Sequence, residues 1–211
     1  MKATVFFFIS AILLLSSCSN NNKTMENNQN SITSNNWKSQ YERVDPSSLP
    51  DNVIELIGRE WMLITAGNKD SYNTMTASWG GMGFIWNKPS TFVFVRDSRY
   101  TYEFLQREEN FTLSFFPEQY RKALTICGSK SGRDTDKVKE AGLTPMETAS
   151  GLMSFQEARM IIECKKMFVQ ELDYENLTEQ YKSKIMDESY NKEPSKHQMF
   201  ISEIINIWVK K

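Results

Sequence analysis

Asn73 to Tyr102 reads NTMTASWGGMGFIWNKPSTFVFVRDSRYTY, and the rest of the chain is organised around this stretch. A polar run (Asn73, Thr74, Thr76, Ser78) leads through Trp79 into Gly80, Gly81 and Gly83, which let the backbone take positive φ and approach something flat. A turn at Asn87-Lys88-Pro89 then joins Phe84–Trp86 to an apolar strand, Thr91–Val95, that stops at Arg96. Beyond it, Arg96, Arg99, Tyr100 and Thr101 gather donors where a helix begins, with Thr101 as its cap and Phe104 and Leu105 turned inward. Donors at a strand-to-helix junction suit an anion, because free amides and the helix dipole point the same way. One end thus suits a flat ring and the other a phosphate; an ordinary turn followed by a solvated rim fits the same residues.

Working outward, period-two runs alternate with short helical segments. Trp61–Ala66 and Asn73–Trp79 are expected to form a hairpin around Gly67-Asn68-Lys69-Asp70. Phe111–Phe116 reads as a strand closed by Pro117, followed by a helix from Pro117 to Ile126 that stops at Gly128. Ala158–Glu171 is a long strand with Met160, Ile162 and Cys164 on one face. A polar, helical excursion runs through Met186, and His197–Val209 closes the sheet, with Phe200, Ile204 and Trp208 recurring. This rhythm predicts a mainly β fold with peripheral helices, a closed or partly closed barrel.

The segment CGSKSGRDTDK, Cys127–Lys137, offers a second loop of amide and cationic donors ahead of a helix that ends at Gly142. Its glycines lie too close together for a nucleotide triphosphatase loop, and Arg133 stands where that motif needs lysine. A plain surface loop with Asp134 or Thr135 as helix cap fits equally well.

Composition narrows the classes. The 211 residues suffice for one sizeable core. A formal net charge of −1 provides no field to recruit nucleic acid. His197 is the single histidine, which excludes histidine-rich metal sites and leaves no second candidate base for a triad. Of three cysteines, Cys127 and Cys164 are expected as unbridged thiols, with no C-x-x-C pair to support a redox centre or a zinc ribbon.

Residues 1–17 read as a signal peptide: Lys2, then an apolar run from Thr4 to Leu15, then Ser16-Ser17-Cys18. That run would span about 18 Å as a helix, short of a hydrocarbon core of roughly 30 Å. Leu15-Ser16-Ser17-Cys18 resembles a bacterial lipobox, which implies lipidation of Cys18 and an exported, membrane-anchored protein facing the periplasm or cell surface. Residues 18–36, rich in Asn and Ser, form a tether, and the globular part spans 37–211.

Taken together, NTMTASWGGMGFIWNKP, VFVRDSRYTYEFL, FTLSFF, CGSKSGRDTDK, AGLTP and HQMFISEI resemble the flavin reductase-like, FMN-binding split-barrel family, in particular its flavoredoxin-type branch. The resemblance covers about residues 55–209. It implies a six-stranded Greek-key split barrel, non-covalent FMN and a homodimer whose interface helps build the site. It places Thr74, Met75, Thr76, Ala77, Ser78 and Trp79 along the isoalloxazine. Arg96, Arg99, Tyr100 and Thr101 match the family's phosphate-holding segment, and Ser131, Arg133, Asp134 and Lys137 match its second cofactor-binding loop. His197 would act catalytically near the flavin or its incoming donor. The function implied is hydride or electron transfer through flavin N5, from NAD(P)H or, after export, from a protein or quinone donor. A non-catalytic, exported flavin-binding barrel is the alternative.

Overall fold

The computed structural model describes residues 39–190 and 196–211. The signal peptide, Cys18 and the tether lie outside them. Alternation builds the sheet. In β2 (Met62–Asn68), Met62, Ile64 and Ala66 enter one core cluster and Leu63 enters another on the opposite face. The same division separates Phe111, Leu113 and Phe115 of β6 (Asn110–Phe115) from Phe116, and Met160, Ile162 and Cys164 of β9 (Met160–Glu171) from Ile161. Both faces of these strands are therefore buried, which selects Val, Ile, Leu and Phe runs and stabilises each large side chain by about 1.5–3 kcal/mol.

With β3 (Ser71–Ala77), β4 (Gly80–Ile85), β5 (Lys88–Arg96) and β10 (His197–Lys210), these strands form one antiparallel sheet in the order β3-β2-β6-β9-β10-β5-β4. β1 (Tyr41–Val44), in which Tyr41 is buried, adds to the far half of β10. A separate hairpin pairs β7 (Pro145–Glu147) with β8 (Met153–Phe155). The fold is mainly β with peripheral helices, as expected. Eight strands share the sheet where the resemblance implied a six-stranded split barrel, and among the described residues the end strands β3 and β4 are not paired to each other.

Local corrections have physical causes. Trp61 takes φ 67° after a π-helical turn over Leu56–Glu60, so the strand starts one residue later, at Met62. Trp86 and Asn87 both have positive φ, the signature of a two-residue hairpin turn, which draws Pro89 into β5. All three glycines after Trp79 belong to β4; built Cβ atoms on Gly81 and Gly83 would meet the Phe92 ring at 4.0 and 3.5 Å, so the flat partner beside them is Phe92. Register shifts at Ile201/Ser202 and Ile204/Asn206 break the period of β10, so Ile207 rather than Trp208 joins Phe200 and Ile204.

Helix α1 (Tyr100–Arg107) has Arg99 at its N-cap; Thr101 is buried inside the first turn. A 3-10 turn, Glu118–Tyr120, precedes α2 (Arg121–Ser129), and Gly128 lies inside that helix instead of stopping it. A Cβ there would sit 3.1 Å from the Thr76 Cβ, so glycine serves the close approach of α2 to β3. Short α3 (Lys137–Glu140) ends near Gly142 (φ 67°), and α4 (Glu179–Tyr190) forms the polar excursion. Cys127 and Cys164 are buried free thiols in different clusters, pushed by burial to about 11 and about 12.

Candidate functional site

Three chain segments converge beside the end of β5. A cleft of about 210 Å³ is lined by Arg96, Ser98, Arg99, Tyr100 and Thr101 on one side, by Ser129, Lys130, Ser131 and Lys137 on the other, and by Met75 at its base. The start of α1 opens into it, and no side chain caps that helix. The lining holds four cationic side chains and no acidic one. Sequence reasoning found Arg96, Arg99, Tyr100, Thr101, Ser131, Lys137 and Met75, and missed Ser98, Ser129 and Lys130.

Two of the cations, Arg99 and Lys137, are held by neutral partners. Arg99 Nη1 donates to the Gly128 carbonyl at 2.8 Å, and Lys137 Nζ donates to the carbonyls of Cys127 and Lys130, both at 3.2 Å. These carbonyls belong to the last turn of α2 and its cap, where backbone acceptors lack helical partners, so the two side chains also cap that helix. Carbonyls do not neutralise a full charge. Burial, and then the neighbouring Arg96, push the Arg99 guanidinium below its ordinary range; burial foremost, with Arg99 contributing, does the same to the Lys137 ammonium. Lys130, by contrast, is ion-paired with Glu140.

Asn73, which motif reading left out of the site, sews the two sides together. Its Nδ2 donates to Thr101 Oγ1 at 2.7 Å, and a Cβ on Gly132 would fall 2.1 Å from its Oδ1. The loop after Ser131 can therefore settle onto α1 only with glycine at 132.

Other expected site residues are placed differently. Thr74 is fully buried; its hydroxyl bonds the Ile64 carbonyl and the Thr65 hydroxyl, so its side chain lines nothing. The Thr76 hydroxyl donates to the Leu124 carbonyl, and the Ala77 side chain joins the inner core. Ser78 follows, half-buried, and Trp79 is 44% exposed. Arg133 stacks 4.8 Å over the Tyr100 ring and pairs with Glu103. With Asp134 it lines a second cleft, of about 450 Å³, behind the loop; of the second donor set, Ser131 and Lys137 line the first cleft. The loop's amides are partly spent internally, since Asp134 and Thr135 donate to the Ser131 carbonyl and Arg133 to Ser131 Oγ.

His197 is 4% exposed, 5.1 Å beneath the Trp79 ring. It faces Arg96 across the β5–β10 ladder, accepting from Arg96 Nε at 3.4 Å, and its Nδ1 lies 3.0 Å from the Tyr174 hydroxyl. Burial, then the charge of Arg96, pushes its pKa down to about 4, so it is neutral at pH 7. At the start of β10 it is packed behind the cationic wall.

The model for the flavin reductase-like domain matches residues 55–211. The chain belongs to this family. Its fold matches solved structures at low identity. An FMN-binding domain of a flavin reductase-like enzyme from Shewanella baltica is 18% identical, with TM-score 0.57 over 80% of this chain and 76% of the other. Flavoredoxin of Desulfovibrio vulgaris is 25% identical, with TM-score 0.53 over 71% and 68%. The NADH:FAD oxidoreductase of Streptomyces globisporus is 15% identical, with TM-score 0.52 over 72% and 78%. No curated protein matches the chain. Flavin reductase-like family membership is thus established for residues 55–211, and the solved structures show the shared fold.

Proposed function

We propose that this protein holds FMN in the Arg96–Lys137 cleft and works as a flavin reductase or flavoredoxin-like oxidoreductase in a split-barrel frame. The observation that carries the reading is that, among the described residues, Arg99 and Lys137 rest on carbonyl oxygens with no carboxylate partner. Two partly buried cations, Arg99 and Lys137, lie on carbonyl oxygens beside Arg96, and each is pushed toward its neutral form. Burying like charges together is costly unless an anion enters, and a phosphate dianion is the natural counter-charge. Arg96, Arg99, Lys137 and the hydroxyls of Ser98 and Ser131 would receive the phosphate, with the uncapped start of α1 behind it.

The ring would lie along the exit of β3, Thr76 to Trp79. Because the Thr76 hydroxyl is committed to Leu124, contact there falls to backbone groups and to Ser78. When bound, FMN supplies hydride or electron transfer at its N5 position. The chain's part is to fix phosphate and ring and to leave one ring face open. His197, neutral and enclosed, serves orientation in this reading and is not a proton donor.

The homodimer is carried forward on the outer face of β5, β10 and β9, where cross-strand pairs Phe92↔Ile201, Phe94↔Met199 and Ile201↔Phe168 align apolar side chains. Beside them Phe84 and Trp86 are 70% and 57% exposed, an expense a second copy would remove. Export and lipid anchoring at Cys18 rest on the sequence. The reductant, NAD(P)H or a protein or quinone donor, rests on the family resemblance.

The test is direct. The domain from Trp37 onward, purified and supplied with FMN, is expected to show flavin absorption near about 370 and 450 nm that NADH or NADPH bleaches. Flavin that neither nucleotide bleaches points to a carrier or to another donor; failure to retain FMN at all overturns the reading.

A further inference from the structure

The cationic wall is braced from behind by a part of the chain far from it in sequence. Arg96 can only donate, so its Nε–H directed at His197 Nε2 requires that nitrogen to present a lone pair. A neutral ring then carries its proton on Nδ1, which donates to the Tyr174 hydroxyl oxygen at 3.0 Å. The backbone N–H of His197 donates to the same oxygen at 3.2 Å. Tyr174 opens a 3-10 turn, Tyr174–Asn176, and the loop is pinned to β10 by Leu172 N–H donating to the His197 carbonyl at 2.8 Å. On its other side the histidine ring meets Trp79, which stands where β3 leaves for β4.

We infer that Tyr174 and His197 are positioning residues: the Tyr174 oxygen anchors the imidazole through Nδ1–H, and the Nε2 lone pair so aimed holds the Arg96 guanidinium in the orientation that receives the ligand's phosphate. This rests on the flavin reading above and deepens it. Without the tyrosine oxygen, the buried Nδ1–H loses that acceptor and the imidazole is no longer held with Nε2 toward Arg96. The Arg96 Nε–H then loses the lone pair aimed at it, and the guanidinium shifts. A guanidinium fixed in advance loses less freedom when it engages a phosphate, so the effect falls on phosphate recognition and not on the ring.

Because His197 is the single histidine, the tautomer can be read without assignment. In protein labelled with 15N-histidine, long-range 15N–1H correlation at pH 7 is expected to show the Nδ1–H form; a predominant Nε2–H form would overturn the inference. Tyr174→Phe is expected to weaken FMN about tenfold while riboflavin affinity stays within about twofold. A folded Tyr174→Phe protein with an unchanged FMN-to-riboflavin ratio also overturns it. The wild-type tautomer needs no variant to fold and no flavin to bind, so it stands apart from failure of the flavin reading.

Discussion

Arg99 and Arg159 are both half-buried, and the molecule treats them oppositely. Arg159 Nη2 reaches Asp51 at 2.8 Å and Glu60 at 2.6 Å; those bonds outweigh burial and raise its pKa, and they lash the segment before β2 to the start of β9. Arg99 has a carbonyl and a like-charged neighbour, and its pKa falls. A cation that holds a fold together is given its counter-charge within the chain. A cation meant for a ligand is kept in place by dipoles and left owing an anion. The same contrast separates Lys130, paired with Glu140, from Lys137, which is not neutralised by its carbonyl partners.

The contrast breaks most decisively at Arg99. Arg99→Ala should weaken FMN about a hundredfold, roughly 3 kcal/mol for one charge-assisted phosphate contact in a partly desolvated cleft, and change riboflavin affinity less than about threefold. Flavin fluorescence titration checks this; equal losses for the two flavins would mean that the arginine acts by packing. Arg159→Ala is the mirror experiment. It should cost roughly 1–2 kcal/mol in urea unfolding, since the group is partly exposed, and leave the FMN-to-riboflavin ratio alone.

Acid sharpens the comparison, because His197 lies against the charged wall with Arg96 and Arg99 opposing its protonation and Asp97 favouring it. Unfolded histidine takes up a proton near pH 6.5, whereas the native ring waits until about 4. The unfolded state therefore binds more protons across that window, and stability falls as pH drops through it. Urea unfolding should show a loss of about 2 kcal/mol between pH 6.5 and 5, absent in His197→Gln. The smallest effect concerns the bare anion. Inorganic phosphate at tenfold its dissociation constant should stabilise the flavin-free protein by about 1.4 kcal/mol over chloride of equal ionic strength, and Arg99→Ala should abolish the gain.

What was legible follows from range. Strands buried on one or both faces announce themselves through local period, so β2, β6 and β9 were found within two residues and β5 within three. Thr101 misled because a threonine at a helix start is usually a cap; here a residue 28 positions earlier, Asn73, needed its hydroxyl. Gly128 misled because a glycine after an apolar run is usually a stop, whereas the crowding that requires it comes from Thr76 on another element. Tyr174 left no signal, since a lone tyrosine in a polar loop has no pattern.

By itself the sequence determined the family, the mainly β architecture and the chemistry of the donors, because those depend on residue type and short-range order. The tertiary structure alone decided which donors share a cleft: it joined Ser131 and Lys137 to Arg96 and Arg99, turned Arg133 and Asp134 to a second cleft, and enclosed His197. Charge compensation acts over a few ångströms of space, and residues that far apart in space can be a hundred apart in the chain, as Arg96 and His197 are.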